Sequence, residues 1–295
     1  MHLLVFIYDE GLAAYIGKKG TEEGIIFYNR LFDGNIIVGL STNDFEKKIH
    51  NAAQAMIMSK QFVISTKNID KYFGEILIAA ELCNKPVIFT DESNIEKMIL
   101  GLELNYMIST KENILSSIMA KAVNSELFDT TRIDIDSAFN VKGIGCVALG
   151  IVTKGVVNVH NQLYHSSGKQ VIVKSIQSQD IDVKTAEVNT RVGLALKGID
   201  VDEIEKGDLL SSNKIVLIDA IETELKTSKY ANENLENNAR YIFISNFSYR
   251  TCIIENIEGN KAKIKFEKLL AIEKGDKFLL LRNKTPRIFA SGTIL

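Results

Sequence analysis

The periodicity of the chain changes once, near Thr131, and that change limits the architectures it can adopt. Before it, short apolar runs alternate with segments of helical spacing. After it the helical period disappears, and β-rich runs recur between glycines at roughly the 8–12-residue rhythm of small barrels. Residues 3–8 (LLVFIY), 25–28 (IIFY), 36–40 (IIVGL), 62–65 (FVIS), 87–90 (VIFT) and 106–108 (YMI) read as strands, with Asp33-Gly34-Asn35 turning between the second and third. Ile49, Ala52, Ala53, Met56 and Ile57 follow helical spacing, with Asn43 or Asp44 as the expected cap. Further helices are expected over 75–83, 95–104 and 111–123, the last capped by the Ser109-Thr110 pair. Strands separated by helices imply a mostly parallel sheet in a three-layered α/β domain, residues 1–128.

The remainder reads as two β-barrels, 129–213 and 214–295. The first draws on 146–153, 156–159, 171–176, 192–197 and 209–210. The second draws on 214–221, 241–245, 252–257, 261–266 and 277–281, with the asparagine-rich stretch 222–238 as an exposed loop.

Net charge is −2, which excludes a strongly basic nucleic-acid clamp but not a local basic surface. The charge is unevenly spread. Residues 1–128 hold 16 Asp and Glu against 12 Lys and Arg, whereas 129–295 hold 21 against 23. Cys83, Cys146 and Cys252 are scattered, and His160 and His165 lack a Cys or carboxylate at metal spacing. They read as solvated loop histidines, and no metal is expected. With no apolar run long enough to span a bilayer and no basic segment before the apolar start, the expected compartment is the cytoplasm.

The barrel region carries more specific signals. Val141-Lys142-Gly143-Ile144-Gly145-Cys146-Val147-Ala148-Leu149-Gly150 precedes Ile151-Val152-Thr153-Lys154-Gly155. Val173-Lys174-Ser175-Ile176, Arg191-Val192-Gly193-Leu194-Ala195-Leu196-Lys197-Gly198 and Asp202-Glu203-Ile204-Glu205-Lys206-Gly207-Asp208-Leu209-Leu210 follow in order. This series resembles the second domain of translational GTPases of the EF-Tu and selenocysteine-specific elongation factor type. Gly275-Asp276-Lys277-Phe278, Arg287-Ile288 and Ser291-Gly292-Thr293-Ile294 resemble the end of their third domain. The resemblance implies that the first domain is a degenerate P-loop GTPase-like body and that the partners are tRNA or the ribosome. An RNA surface on the barrels would draw on Lys142, Lys154, Lys174, Lys184 and Arg191, whose other reading is ordinary solubility.

The nucleotide chemistry of that family is not legible. A phosphate loop needs GxxxxGK[ST]. Gly11 and Gly17 are separated by five residues rather than four, Lys19 stands at the hydroxyl position, and Asp9 and Glu10 would face phosphates. Ile25–Tyr28 follows so soon that no helix fits between. The Asp-x-x-Gly position reads Ser41-Thr42-Asn43-Asp44, and the guanine-reading position after 87–90 reads Asp91-Glu92-Ser93-Asn94. No catalytic residue, nucleotide site or cofactor is therefore expected. Thr130–Asp136 (TTRIDID) is read as a linker strand with solvated charges, over a same-face carboxylate pair. Lys18-Lys19 and Lys47-Lys48 are read as solvated surface, and Met56 and Met58 as core.

The expected function is an elongation factor-like protein that has lost GTP binding and hydrolysis and acts through RNA, ribosome or protein contacts. Two alternatives stand beside it: a divergent GTP-binding factor with an altered loop around Gly17–Thr21, and a protein-interaction scaffold docking through the N-terminal domain. In either non-nucleotide reading the domain arrangement is expected to be fixed.

Overall fold

The computed structural model describes residues 1–67, 69–90, 95–122, 128–231 and 235–295, with the side chains of 21–23 outside that description. The first body contains β1 (His2–Tyr8), α1 (Glu10–Ile16), β2 (Lys18–Glu23), β3 (Ile25–Phe32), β4 (Asn35–Ser41), α2 (Ile49–Met58), β5 (Gln61–Ser65), α3 (Phe73–Cys83), β6 (Val87–Thr90), α4 (Ile95–Met98), β7 (Tyr106–Ser109) and α5 (Ile114–Ala120). Its sheet runs β2-β3-β4-β1-β5-β6-β7. From β4 to β7 the pairing is parallel, and β2 and β3 add antiparallel at one edge. The expected mostly parallel α/β sheet is present.

Alternation along β1 explains the layers. Leu4 and Phe6 enter the core under α2 and α3, whereas Leu3, Val5 and Ile7 enter the core under α1 and α5. Side chains buried on both faces are why β1 reads as a continuous apolar run. α3 is buried on nearly every side, so it cannot be a surface helix. Its outer side is covered by the second barrel: Ile244, Phe247, Leu279, Leu281 and Ile288 belong to the same core as Ile76, Leu77 and Ala80.

Four local expectations differ. A two-turn α1 fits between β1 and β2 where no helix was expected, because only seven residues are needed to reach the sheet edge. The expected helix over 95–104 ends at Met98, where the chain turns through Gly101 at φ 86°. α2 begins after Lys48 with no side-chain cap; Asp44 instead accepts from Lys47 N at 3.3 Å within the preceding turn. α5 begins after Asn113, and Ser109 Oγ pairs with Ser117 Oγ at 2.8 Å rather than capping. The expected end of that helix, Val123, and the guanine-reading position, residues 91–94, lie outside the described residues.

The first barrel comprises β8 (Arg132–Val141), β9 (Gly145–Lys154), β10 (Val156–Asn158), β11 (Gln162–His165), β12 (Gln170–Ser178), β13 (Ile181–Val183), β14 (Thr185–Glu187), β15 (Arg191–Lys197) and β16 (Leu209–Ser211). The order β11-β16-β8-β9-β15-β12 closes through the β11–β12 pairing, with β13 outside on β12 and β10–β14 as a separate ribbon. Gly150 shows why this barrel needs glycine: a Cβ there would lie 2.5 Å from Asp134 O of β8.

The second barrel comprises β17 (Leu217–Thr227), β18 (Arg240–Ser245), β19 (Ser248–Glu258), β20 (Lys261–Ala271), β21 (Lys277–Leu281) and β22 (Ile288–Ile294), closed in the order β17-β20-β19-β18-β21-β22. Phe243 sits at its centre, 4.9 Å from Phe266 and 4.7 Å from Phe278 between ring centroids. The expected loop over 222–238 is strand as far as Thr227, because alternate residues Thr223 and Leu225 enter the interior. Residues 232–234 of that stretch lie outside the described residues.

Candidate functional site

Nucleotide chemistry on a parallel sheet requires an anion cradle just beyond the carboxyl end of a strand, at a helix N-terminus. The matching place here is the β1–α1 junction. Asp9 adopts φ 144°, and its Oδ1 accepts from Leu12 N at 2.7 Å. The carboxylate thus stands where the helix N–H groups would meet an anion, and it satisfies one of them. Gly17, Lys18 and Lys19 do not form a loop ahead of a helix. Gly17 follows α1 and lies against β3, where a Cβ would come within 3.0 Å of Asn29 N, while Lys18 and Lys19 are exposed residues of β2.

The loop after β4 is occupied as well. Phe45 packs 6.0 Å from Tyr8 and 5.1 Å from Tyr72, and Tyr8 donates to Asp70 Oδ1 at 2.6 Å. Burial and the Asp70 carboxylate hold the Tyr8 hydroxyl far above its ordinary pKa, so it stays a donor. Into this group comes Arg287 from the segment before β22. Its guanidinium lies 5.2 Å from the rings of both Phe45 and Tyr72, pairs with buried Glu75 at 2.7 Å, and donates to Glu46 O at 2.8 Å. The segment where a nucleotide-responsive loop would move is therefore fastened to the second barrel.

The TTRIDID stretch gives the largest correction. Arg132, Asp134 and Asp136 are 2%, 2% and 6% exposed, so they are not solvated linker charges. Arg132 pairs with Asp134 on its own strand and with Asp276 of the second barrel at 2.7 Å. Asp134 also accepts from Thr153 Oγ1 at 2.5 Å and from Asn246 Nδ2 at 3.0 Å. Burial works against the Arg132 charge, but Asp134 and Asp276 outweigh it and hold the guanidinium above its usual range. Asp136, on the same face two residues on, is held by Arg191 at 2.7 Å and Lys206 at 3.1 Å. His165 is likewise buried rather than solvated, with Nε2 3.2 Å from Asp208.

Two of the five RNA-contact candidates are taken into these internal pairs. Arg191 lies between Asp136 and the ring of Phe27, 4.1 Å from its centroid, and Lys154 pairs with Glu273. Lys142 is exposed in the β8–β9 turn, and Lys174 Nζ of β12 donates to Ile144 O of that turn. Lys184 is exposed separately, between β13 and β14. Sequence reading missed Glu75 and Asn246, and placed Asp276 and Arg287 only within the third-domain resemblance, without their pairing roles. No described helix is long and apolar enough to cross a membrane, and no described cluster of His, Cys, Asp and Glu could hold a metal.

Comparison with known proteins accords with this architecture. The family model for elongation factor Tu domain 2 matches residues 145–211. An uncharacterised protein of Methanocaldococcus jannaschii is 27% identical, over 94% of this chain and 93% of its own length. The selenocysteine-specific elongation factor of the same organism is 26% identical, over 75% of this chain and 59% of that protein. The one from Haemophilus influenzae is 23% identical, over 90% of this chain and 45% of that protein. The chain thus spans about half the length of the elongation factors it matches. Among solved structures, elongation factor SelB of Methanococcus maripaludis with the GTP analogue GppNHp superposes over 100% of this chain and 78% of that one, with a TM-score of 0.84 and 18% identity. The apo form gives 0.83 at 19% identity, over 100% of this chain and 79% of that one.

Proposed function

We propose that this SelB-like relative of the translational GTPases works by binding RNA, the ribosome or a protein partner in the cytoplasm, without binding or hydrolysing guanine nucleotide. The observation that carries the reading is the Asp9 carboxylate seated on Leu12 N at 2.7 Å, in the place of an anion. A triphosphate brought there would meet a fixed negative charge and would have to displace an existing hydrogen bond. The placement of Lys18 and Lys19 on β2 supports the same reading, since both follow the C-terminal end of that helix rather than preceding its N-terminus. Titration calorimetry with GTP and GDP in Mg²⁺ should give no heat of binding; micromolar affinity for either would overturn the proposal.

Three domains, 1–128, 129–213 and 214–295, form the proposed working unit. The proposed RNA surface narrows to Lys142, Lys174 and Lys184, because Lys154 and Arg191 have internal carboxylate partners. Replacing any one of these three lysines with Gln should lower the salt dependence of RNA binding by about one unit of logarithmic slope. Crosslinking to tRNA and ribosomal RNA separates this from a purely protein-binding role, which would leave the first barrel without crosslinks.

A further inference from the structure

At the end of the sheet opposite Asp9, the α/β body and both barrels line a half-open pocket of about 480 Å³. Among the described residues its lining holds Lys85, Arg132, Lys154 and Lys277 with one carboxylate, Asp276. Arg132 and Lys154 are answered by Asp134, Asp276 and Glu273. Lys85 and Lys277 are not. Lys85 Nζ donates to Met56 O at 2.8 Å and Ile57 O at 2.6 Å, the carbonyls at the end of α2, and an ammonium has a third proton to give. Lys277, the first residue of β21, is exposed, and its ammonium meets no described carboxylate. Burial pushes Lys85 down to about 8, and the charges of Lys60 and Lys277 add to that shift, so these cations repel one another. Leu4, Met58 and Phe128 supply an apolar part of the wall.

A half-buried ammonium without a carboxylate partner, beside a second and exposed ammonium, is held more favourably when an anion joins them. We propose that this junction binds the phosphate group of a small phosphorylated molecule, with Lys277 and Lys85 as its principal contacts. Two cations without carboxylate partners match a phosphate dianion better than a single carboxylate, and the apolar wall accommodates an organic remainder. The site exists only while the bodies are joined, since Lys277 comes from the second barrel and Lys85 from the α/β body. Any ligand it takes must therefore stabilise the joined arrangement. This site is separate from the β1–α1 junction and does not depend on whether guanine nucleotide binds there.

The test is thermal unfolding of the full chain against increasing inorganic pyrophosphate, at constant ionic strength. A saturable rise in Tm is expected, with the midpoint shifted to at least ~10-fold higher concentration in Lys277→Gln and in Lys85→Met, as removal of a charged hydrogen bond implies. Lys142→Gln should respond like the wild type. Lys277 begins an exposed strand end, so the folded baseline of its variant is checked in the same scan. No saturable rise, or the same midpoint in Lys277→Gln as in the wild type, would sink the proposal. A response that survives Lys277→Gln but disappears in Lys18→Ala would also refute it, by locating the anion at the opposite end of the sheet.

Discussion

A buried charge is defined by what answers it, and Arg132 is answered from both its own strand and the second barrel. Removing such a partner leaves carboxylates uncompensated, which typically costs about 3–5 kcal/mol. Arg132→Ala should therefore lower stability by about that amount in urea unfolding, far more than the removal of one exposed, solvent-screened pair such as Lys71–Glu46. A destabilisation by Arg132→Ala no larger than that of the exposed pair would refute the buried-network reading. Lys85 provides a pH test. Its folded pKa of about 8 lies below the 10.5 of the unfolded chain, so between these values the unfolded state binds more protons. Stability should rise with pH across that window, with the cost of the buried ammonium fully present below about 8. The same window should be flatter in Lys85→Met, measured as the difference between the two denaturation profiles. None of this is legible in the sequence. Period-two alternation puts Arg132, Asp134 and Asp136 on one face, but a local pattern cannot reveal that Asp276 and Arg191 will cover that face.

At the scale of single elements, α1 is held at its start by Asp9. Losing an N-cap typically costs about 1 kcal/mol, so Asp9→Ala should reduce stability by that order, seen as a lowered urea midpoint with unchanged slope. An unaltered midpoint would count against the cap. The strands buried on both faces are readable because their apolar runs are continuous; β1, β5 and β6 stand almost whole in the sequence. Short or polar elements are not. β2 (KKGTEE) has no apolar residue to mark it, and it is a strand because β3 offers a free edge. β17 extends through residues that read as loop because its polar face is solvated while Thr223 and Leu225 fill the barrel.

Across the whole molecule, α2 and α3 serve as the joint between bodies. Gln54 Nε2 donates to Phe247 O at 2.7 Å, Ser291 Oγ to Leu82 O at 2.9 Å, and Arg287 grips Glu75. A joint made of packed apolar side chains and buried polar bonds resists rigid-body rearrangement, so a nucleotide-independent arrangement is the expectation. Small-angle scattering should give the same radius of gyration with and without GTP, and an expanded particle for Arg287→Ala; a nucleotide-dependent change in the wild type would contradict the fixed arrangement. The two-barrel architecture is legible from glycine rhythm. The mode of attachment is not, since it depends on pairs such as Glu75 and Arg287 that lie far apart in sequence.

The conversion of Lys18 and Lys19 into an edge strand has one more consequence, for behaviour at high concentration. An open sheet ends in unpaired N–H and C=O groups that can recruit a strand from another molecule. Here the β2 edge carries two lysines, and the β7 edge is only four residues long. Both barrels close on themselves. Lys18 and Lys19 thus act as guards against intermolecular strand pairing. Replacing both with Val should raise light scattering on storage while leaving the unfolding midpoint nearly unchanged.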